Sequence, residues 1–509
     1  MTVLAHRSTA SDSNDRLNRD ALAVLQPGFE GTTAPAWLLR RVSEGLTAVG
    51  LFGRNITSPA QLAALTAQLR AEREDVLVAI DEEGGDVTRL EVRGGSSFPG
   101  NLALGAVDDT ALTRDVAHEL GRRLAGCGVN LNWAPSADVN SNPDNPVIGV
   151  RSFGADTLLA ARHTAAYVEG LQAAGVAACT KHFPGHGDTS VDSHHALPRI
   201  DADPDTLYAR ELVPFKAAIA AGTKAVMSAH ILVRSLDPTR PATLSPQILT
   251  GLLRKELGYE GLIVTDGMEM NAIAGTYGIE RGSVLAIAAG ADAICVGGGL
   301  ADEATVLRLR DALVDAVREG SLPEERLADA AARVRALADW TRQACTARAD
   351  APQEEGSGAS AIGLTAARRA LAVSGRPAAV RRPYVATLAP VANIAVGDET
   401  PWGVAAELAA LVPDTESGVH PEGATAADVL AAAGDRTVVA VVRDAHRHPW
   451  MAAAVTGLVA ARPDTVVVEM GLPRAEPAGA LYIATHGAAR VCGRAAAEVI
   501  AGTGAGTAG

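Results

Sequence analysis

Short apolar runs recur along the first 345 residues, each followed by a stretch with helical periodicity. The runs are Ala23–Gln26, Ala48–Phe52, Leu77–Ile80, Val129–Trp133, Val176–Thr180, Ala225–Ser228, Leu262–Thr265 and Ala293–Val296. Continuous apolar runs separated by helices predict parallel strands covered on both faces. Eight such units over roughly 300 residues predict a (β/α)8 TIM-type barrel in preference to a doubly wound sheet. A helical stretch follows from Glu303 to Gln343, broken at Gly320–Pro323. The segment TARADAPQEEGSGAS then mixes Ala, Pro, Gly, Ser and charge, and predicts a linker. Beyond it, Tyr384–Leu388, Val438–Val442, Thr465–Met470 and Leu481–Ala484 predict strands, and Ala488–Ala501 a closing helix. The predicted organisation is a catalytic barrel over 1–345, a linker over 346–361 and a smaller α/β sandwich domain over 362–509.

The polar residues cluster where the predicted barrel strands end. Asp81 follows VLVAI, Asn132 and Asp138 lie at or after VNLNW, Lys181 and His182 follow VAACT, His230 follows AVMSA, and Asp266 follows LIVT. Barrel enzymes carry their chemistry on the C-terminal strand ends, so five such ends predict one catalytic rim.

Composition narrows the classes of partner. With 48% apolar and 20% charged residues the chain is globular, and with 3% aromatics its core must gain burial from many small aliphatic contacts. A net charge of −14 and the lack of a basic run exclude a phosphate-backbone partner, so no nucleic acid is expected. Five widely spaced cysteines without a CxxC predict buried free thiols in a reducing compartment. The first twenty residues show neither a signal-peptide pattern nor an 18-residue apolar span; no membrane association and a cytoplasmic location are expected.

The segment KHFPGHGDTSVDSHHALP, Lys181–Pro198, follows a strand directly and gathers one lysine, four histidines and two aspartates. Lys181 is one of four lysines in a chain that otherwise uses arginine. Two chemistries fit the segment. His182, His186, Asp188 and His194 offer ligands for a divalent metal. Alternatively Asp192, two residues from His194, orients that ring and raises its pKa, so that His194 exchanges a proton near neutral pH. In GLIVTDGMEMNAI, Asp266 ends a buried strand, where an ionised carboxylate is costly and nucleophilic attack gives it a purpose; Glu269 and Met270 open the next helix and are expected to be structural. In AIDEEGGDVTRL, Asp81 and Arg89 supply an acceptor and a donor fork for sugar hydroxyls.

The pattern KHFPGHG-x4-DSH-x3-P closely resembles the signature loop of the glycoside hydrolase family 3 β-N-acetylhexosaminidases of the NagZ type. IDEEGG-x3-RL, RSFG at Arg151–Gly154 and VTDGMEM at Val264–Met270 resemble further motifs of that family, in the same order. The resemblance spans roughly residues 20–340 and covers the second domain only as a general architecture. It implies Asp266 as nucleophile, His194 as acid/base with Asp192 as its dyad partner, and Asp81, Arg89, Arg151, Lys181 and His182 as the residues that hold a terminal N-acetylglucosamine unit. It implies retaining hydrolysis of small carbohydrate substrates with no metal or other cofactor. Asp86 departs from the pattern at a position often occupied by Arg, and as a spacer position it is expected to alter outer contacts only. A β-N-acetylglucosaminide phosphorylase on the same site, and more distantly a metal-dependent amidohydrolase, are the alternatives. A non-catalytic sugar-binding protein is disfavoured by the intact Asp266, Asp192 and His194 set. In the second domain Glu469 is the one carboxylate that invites inspection as a stand-in acid.

Overall fold

The computed structural model describes residues 14–192, 197–349, 360–375, 380–390 and 399–503. All eight expected strands form: β1 (Leu25–Pro27), β2 (Ala48–Leu51), β3 (Leu77–Ile80), β4 (Leu131–Asn132), β5 (Ala177–Phe183), β6 (Ala225–Ser228), β7 (Leu262–Thr265) and β8 (Ile294–Val296). Parallel ladders run continuously from β2 to β7, and a further parallel ladder joins β1 to β8. A bridge between Val264 and Ala293 links β7 to the start of β8, and β1 lies beside β2. The fold is a TIM-type barrel followed by a second α/β domain.

Side-chain alternation sorts the strands into two layers. Leu77, Ala79, Ala177, Cys179, Leu262, Val264, Ala293 and Cys295 fill the barrel interior. Val78, Ile80, Ala178, Val226, Ile263 and Ile294 pack outward under the helices. The interior is rich in Ala, which suits a narrow barrel core with Trp133 and Met227 as its bulkiest members. Val334, Leu337 and Ala338 of helix Glu324–Ala349 close the end opposite the rim, where Asn130 also bonds Thr341 (3.3 Å).

The second domain is a six-stranded sheet of β9 (Ala372–Gly375), β10 (Pro383–Leu388), β11 (Glu416–His420), β12 (Thr437–Val442), β13 (Val466–Glu469) and β14 (Leu481–Ala484). Its order is β9-β14-β13-β12-β10-β11, parallel except for β9 at one edge. Four of these strands follow the apolar pattern. The two edge strands, β9 and β11, do not, because an edge strand exposes most of its side chains and carries no apolar run. Helix Glu324–Ala349 continues four residues into the stretch read as linker. The five cysteines are free; four are buried as expected, but Cys345 is exposed on the outer face of that helix.

Helix Ala361–Ala370 is wedged between the two domains. Ala366 belongs to the barrel's core and its neighbour Ala367 to the core of the second sheet. Gly363 makes this approach possible: a Cβ there would lie 2.1 Å from the Ser97 carbonyl oxygen.

Candidate active site

The strand alternation sets which strand-end residues face the barrel mouth. Ala79 points in and Ile80 out, so Asp81 points in; Cys179 in and Thr180 out give Lys181; Val264 in and Thr265 out give Asp266. The electrostatics agree. Burial chiefly raises the Cys179 and Cys295 thiols, and both feel Asp81 and Asp266 as nearby negative charges.

β5 breaks the alternation at its end. Cys179 and Thr180 pair with Ala225 and Val226, but Phe183 pairs with Ser228, so β5 advances three residues while β6 advances two. This bulge turns both Lys181 and His182 toward the mouth. Lys181 Nζ donates to Asp81 Oδ1 (2.5 Å) and pairs with Glu83 Oε1 (2.7 Å). Arg151 grips Glu83 through Nη2 (2.6 Å) and Nε (3.1 and 3.2 Å). Arg89 approaches Asp81 at 3.9 Å. Burial would raise the Glu83 carboxyl, but Arg151 and Lys181 outweigh it and hold the group down to about 2. The same carboxylates keep Lys181 protonated against the opposing effect of burial.

His182 completes the chain. Arg151 Nη2 lies 3.3 Å from His182 Nε2, and Arg has only donors, so Nε2 is the acceptor. The ring proton therefore sits on Nδ1, which donates to Asp138 Oδ2 (2.7 Å). Asp138 also accepts from Ser136 Oγ (2.9 Å) and from the His186 backbone N–H (2.7 Å). It is buried, yet the two histidines and these donors hold its carboxyl well below the usual range. His186 packs edge-on against His182 and bonds Thr189 Oγ1 through Nδ1 (2.8 Å). Burial, then the His182 ring, pushes His186 down to about 4.

The β3 loop is braced from behind. Asn132 exchanges two hydrogen bonds with the Glu82 backbone (2.7 and 3.0 Å). Glu82 Oε2 accepts the backbone N–H groups of Arg89 and Leu90, both at 2.7 Å, and thereby folds the loop back on itself. Burial is the main reason that the Glu82 carboxyl rises to about 7.

Asp266 is half-buried at the end of β7 and accepts the Gly267 N–H through Oδ1 (2.8 Å). His230 stands beside it, bonded to Thr243 Oγ1 (2.8 Å) and the Gly267 carbonyl (3.0 Å). Asp192 is buried. His194 lies outside the described residues. Of the four residues considered as metal ligands, three are described: His182 bonds Arg151 and Asp138, Asp188 bonds Arg210 (2.5 Å), and His186 bonds Thr189 through Nδ1, while its buried Nε2 has no partner among the described residues. Glu269 lies before helix Asn271–Tyr277 rather than in its first turn, and accepts the Gly297 N–H (3.0 Å) and the Gly298 N–H.

Residues 37–337 match the family model described as the glycosyl hydrolase family 3 N terminal domain. The chain belongs to glycosyl hydrolase family 3. It is 37% identical over 332 residues to the beta-hexosaminidase A of Pseudoalteromonas piscicida, a match that covers 60% of this chain and 55% of that protein. The chain thus spans about half the length of that curated relative. It is 35% identical to the solved glycoside hydrolase family 3 beta-N-acetylglucosaminidase of Paenibacillus sp. FPU-7, with a TM-score of 0.85 and coverage of 96% and 97% of the two chains. It is also similar to the NagZ of Neisseria gonorrhoeae solved with N-trifluoroacetyl-D-glucosamine, at 28% identity, a TM-score of 0.56 and coverage of 68% and 97%.

Glu83 is the residue that the sequence reading missed. Glu82 and Glu83 sit side by side in the same Gly-rich turn, and nothing in the pattern says which carboxylate turns back to the loop and which turns forward to Lys181 and Arg151. Glu469, inspected as a stand-in acid, accepts the backbone N–H groups of Asp444 (2.9 Å), Ala445 (3.2 Å) and Gly471 (2.7 Å) and acts as a loop anchor.

Proposed function

We propose that the protein is a retaining exo-β-N-acetylhexosaminidase that removes terminal N-acetyl-β-glucosaminyl units by double displacement. The observation that carries this reading is the convergence of Asp81, Lys181 and Asp266 from three strands, joined by Arg151 and His182, in a chain similar over nearly its whole length to a β-N-acetylglucosaminidase. In this reading Asp81, Arg89, Arg151, Lys181 and His182 hold the sugar. The alternating acceptors and donors of that row suit a ring of neighbouring hydroxyls. Asp266 attacks the anomeric carbon and forms a glycosyl ester as the bond to the leaving oxygen breaks. Protonated His194, oriented by Asp192, gives that oxygen its proton. The neutral ring then takes a proton from water, which cleaves the ester with net retention.

The same proposal includes the division into a barrel over 1–345, a linker over 346–361 and a second domain over 362–509. It also includes cytoplasmic residence and peptidoglycan fragments or chito-oligosaccharides as natural substrates. Among the described residues no helix is long and apolar enough to cross a membrane.

The test is release of nitrophenol from the aryl N-acetyl-β-glucosaminide beside the matching β-glucoside, in phosphate-free buffer with a chelator. Strong, selective release is expected. No release on either substrate would overturn the proposal, and acceleration by added phosphate with a sugar phosphate as product would convert it to a phosphorylase. For the dyad, kcat should fall on the alkaline side with a single ionisation, and Asp192→Asn should lose rate chiefly on poor leaving groups. A variant that keeps full rate on those substrates would remove Asp192 from the mechanism.

A further inference from the structure

The loop from Asp81 to Gly100 faces the proposed sugar site along one edge and the second domain along the other. Its inner edge carries Asp81, Glu83 and Arg89. Its outer edge is held by the C-terminal domain at several points. The Val491 N–H donates to the Ser96 carbonyl (3.2 Å), and Arg490 Nε donates to the Gly95 carbonyl (3.3 Å). Asp86, midway between Glu83 and Arg89, is buried at 6% exposure. Both of its oxygens are engaged by the other domain: the Arg443 guanidinium bonds Oδ2, and the Ala488 N–H donates to Oδ1 at 2.6 Å. Arg443 also lies over the Trp402 ring, 5.9 Å from its centroid, which fixes its plane.

We propose that Arg443, in the second domain, is a positioning residue for the sugar site: by gripping Asp86 it holds the loop that carries Asp81, Glu83 and Arg89 against Lys181 and Arg151. This rests on the glycosidase reading of the site. The physical basis is the cost of a buried carboxylate without its cation, which is large enough to expel the loop from its place. Arg443 reaches the loop at Asp86, so its influence passes through the backbone between Glu83 and Arg89. A displacement of that backbone by even an ångström would separate Asp81 and Glu83 from Lys181 and weaken the hold on the sugar.

Three full-length variants test this: Arg443→Met, Arg443→Lys and the double variant Asp86→Asn with Arg443→Met. Kinetics on the aryl N-acetyl-β-glucosaminide are read beside hydrogen–deuterium exchange of residues 84–90. Arg443→Met should raise KM about tenfold or more with a smaller change in kcat, and should speed exchange of that loop about tenfold while the other barrel strands keep their protection. Arg443→Lys should recover part of both effects. The double variant, which leaves no unpaired charge, should recover most of the loop protection. Wild-type KM in Arg443→Met, or faster loop exchange with KM unchanged, would overturn the positioning role. A fall in thermal stability with KM intact in the folded fraction would do the same. Failure of the wild-type enzyme to cleave the substrate would instead bring down the glycosidase reading, whereas these other outcomes leave that reading standing.

Discussion

The barrel and the mostly parallel second sheet both end strands in carboxylates, and only the barrel gathers a site. In the barrel, Asp81 pairs with Lys181 on another strand, and Glu83 pairs with Lys181 and with Arg151. In the second domain, Glu469 ends β13, yet it accepts from the backbone N–H groups of Asp444, Ala445 and Gly471. Burial leads to a rise of the Glu469 carboxyl to about 7, with Asp444 adding to it, whereas Glu83, equally buried but paired with two cations, falls to about 2. A carboxylate at the strand ends thus becomes available for chemistry when its partners are cationic side chains brought from other segments of the rim. When its partners are amides of adjacent turns, it is a brace.

The sharpest test of this contrast exchanges one carboxylate in each sheet. If Asp266 is the proposed nucleophile, Asp266→Ala should cut kcat by at least ~1000-fold, with the fold retained by circular dichroism. Glu469→Gln should leave kcat within about twofold, because an amide oxygen in place of Oε1 would still accept the Asp444 and Gly471 N–H groups and only Ala445 would lose its acceptor. A large kcat loss in Glu469→Gln would give the second domain a chemical role and erase the contrast.

Next in size is the lysine that joins the barrel's carboxylates. Lys181→Met leaves Glu83 with Arg151 alone and leaves Asp81 to the distant Arg89, so it should destabilise the protein by about 3–5 kcal/mol in urea unfolding. It should also raise the Glu83 carboxyl and weaken sugar binding, read as KM. Unchanged stability would mean that Arg151 suffices to compensate Glu83.

The smallest effect belongs to a brace under the histidine-rich loop. Glu211 accepts from Arg210 Nε through Oε1 (2.6 Å), while its buried Oε2 has no partner among the described residues; chiefly by burial, its carboxyl rises from 4.5 to about 7. Between those two values the native state holds a proton that the unfolded chain releases, so stability is lost as pH rises through the window. Glu211→Gln cannot titrate. Its stability relative to wild type should therefore improve between pH 5 and pH 8, by up to ~3 kcal/mol. Parallel urea curves at the two pH values would measure it, and a constant difference would refute it.

The barrel was legible in the sequence because its strands are short apolar runs that stop abruptly at charge, and strand parity then aims Asp81, Lys181 and Asp266. Three features escaped that reading for different reasons. β9 and β11 are edge strands with exposed side chains and no apolar signal. Glu83 is distinguishable from Glu82 only once the turn is folded. Asp86, expected to matter for outer contacts alone, is buried against Arg443, and a pairing 357 residues apart leaves no local pattern. His194, the acid/base of the proposal, lies outside the described residues.

The helix wedged between barrel and sheet has a thermodynamic consequence. Ala366 and Ala367 are consecutive residues packed into different cores, so neither core can open without releasing the helix that the other core buries. The two domains should therefore melt as one cooperative unit, with a single heat-absorption peak whose calorimetric and van't Hoff enthalpies coincide.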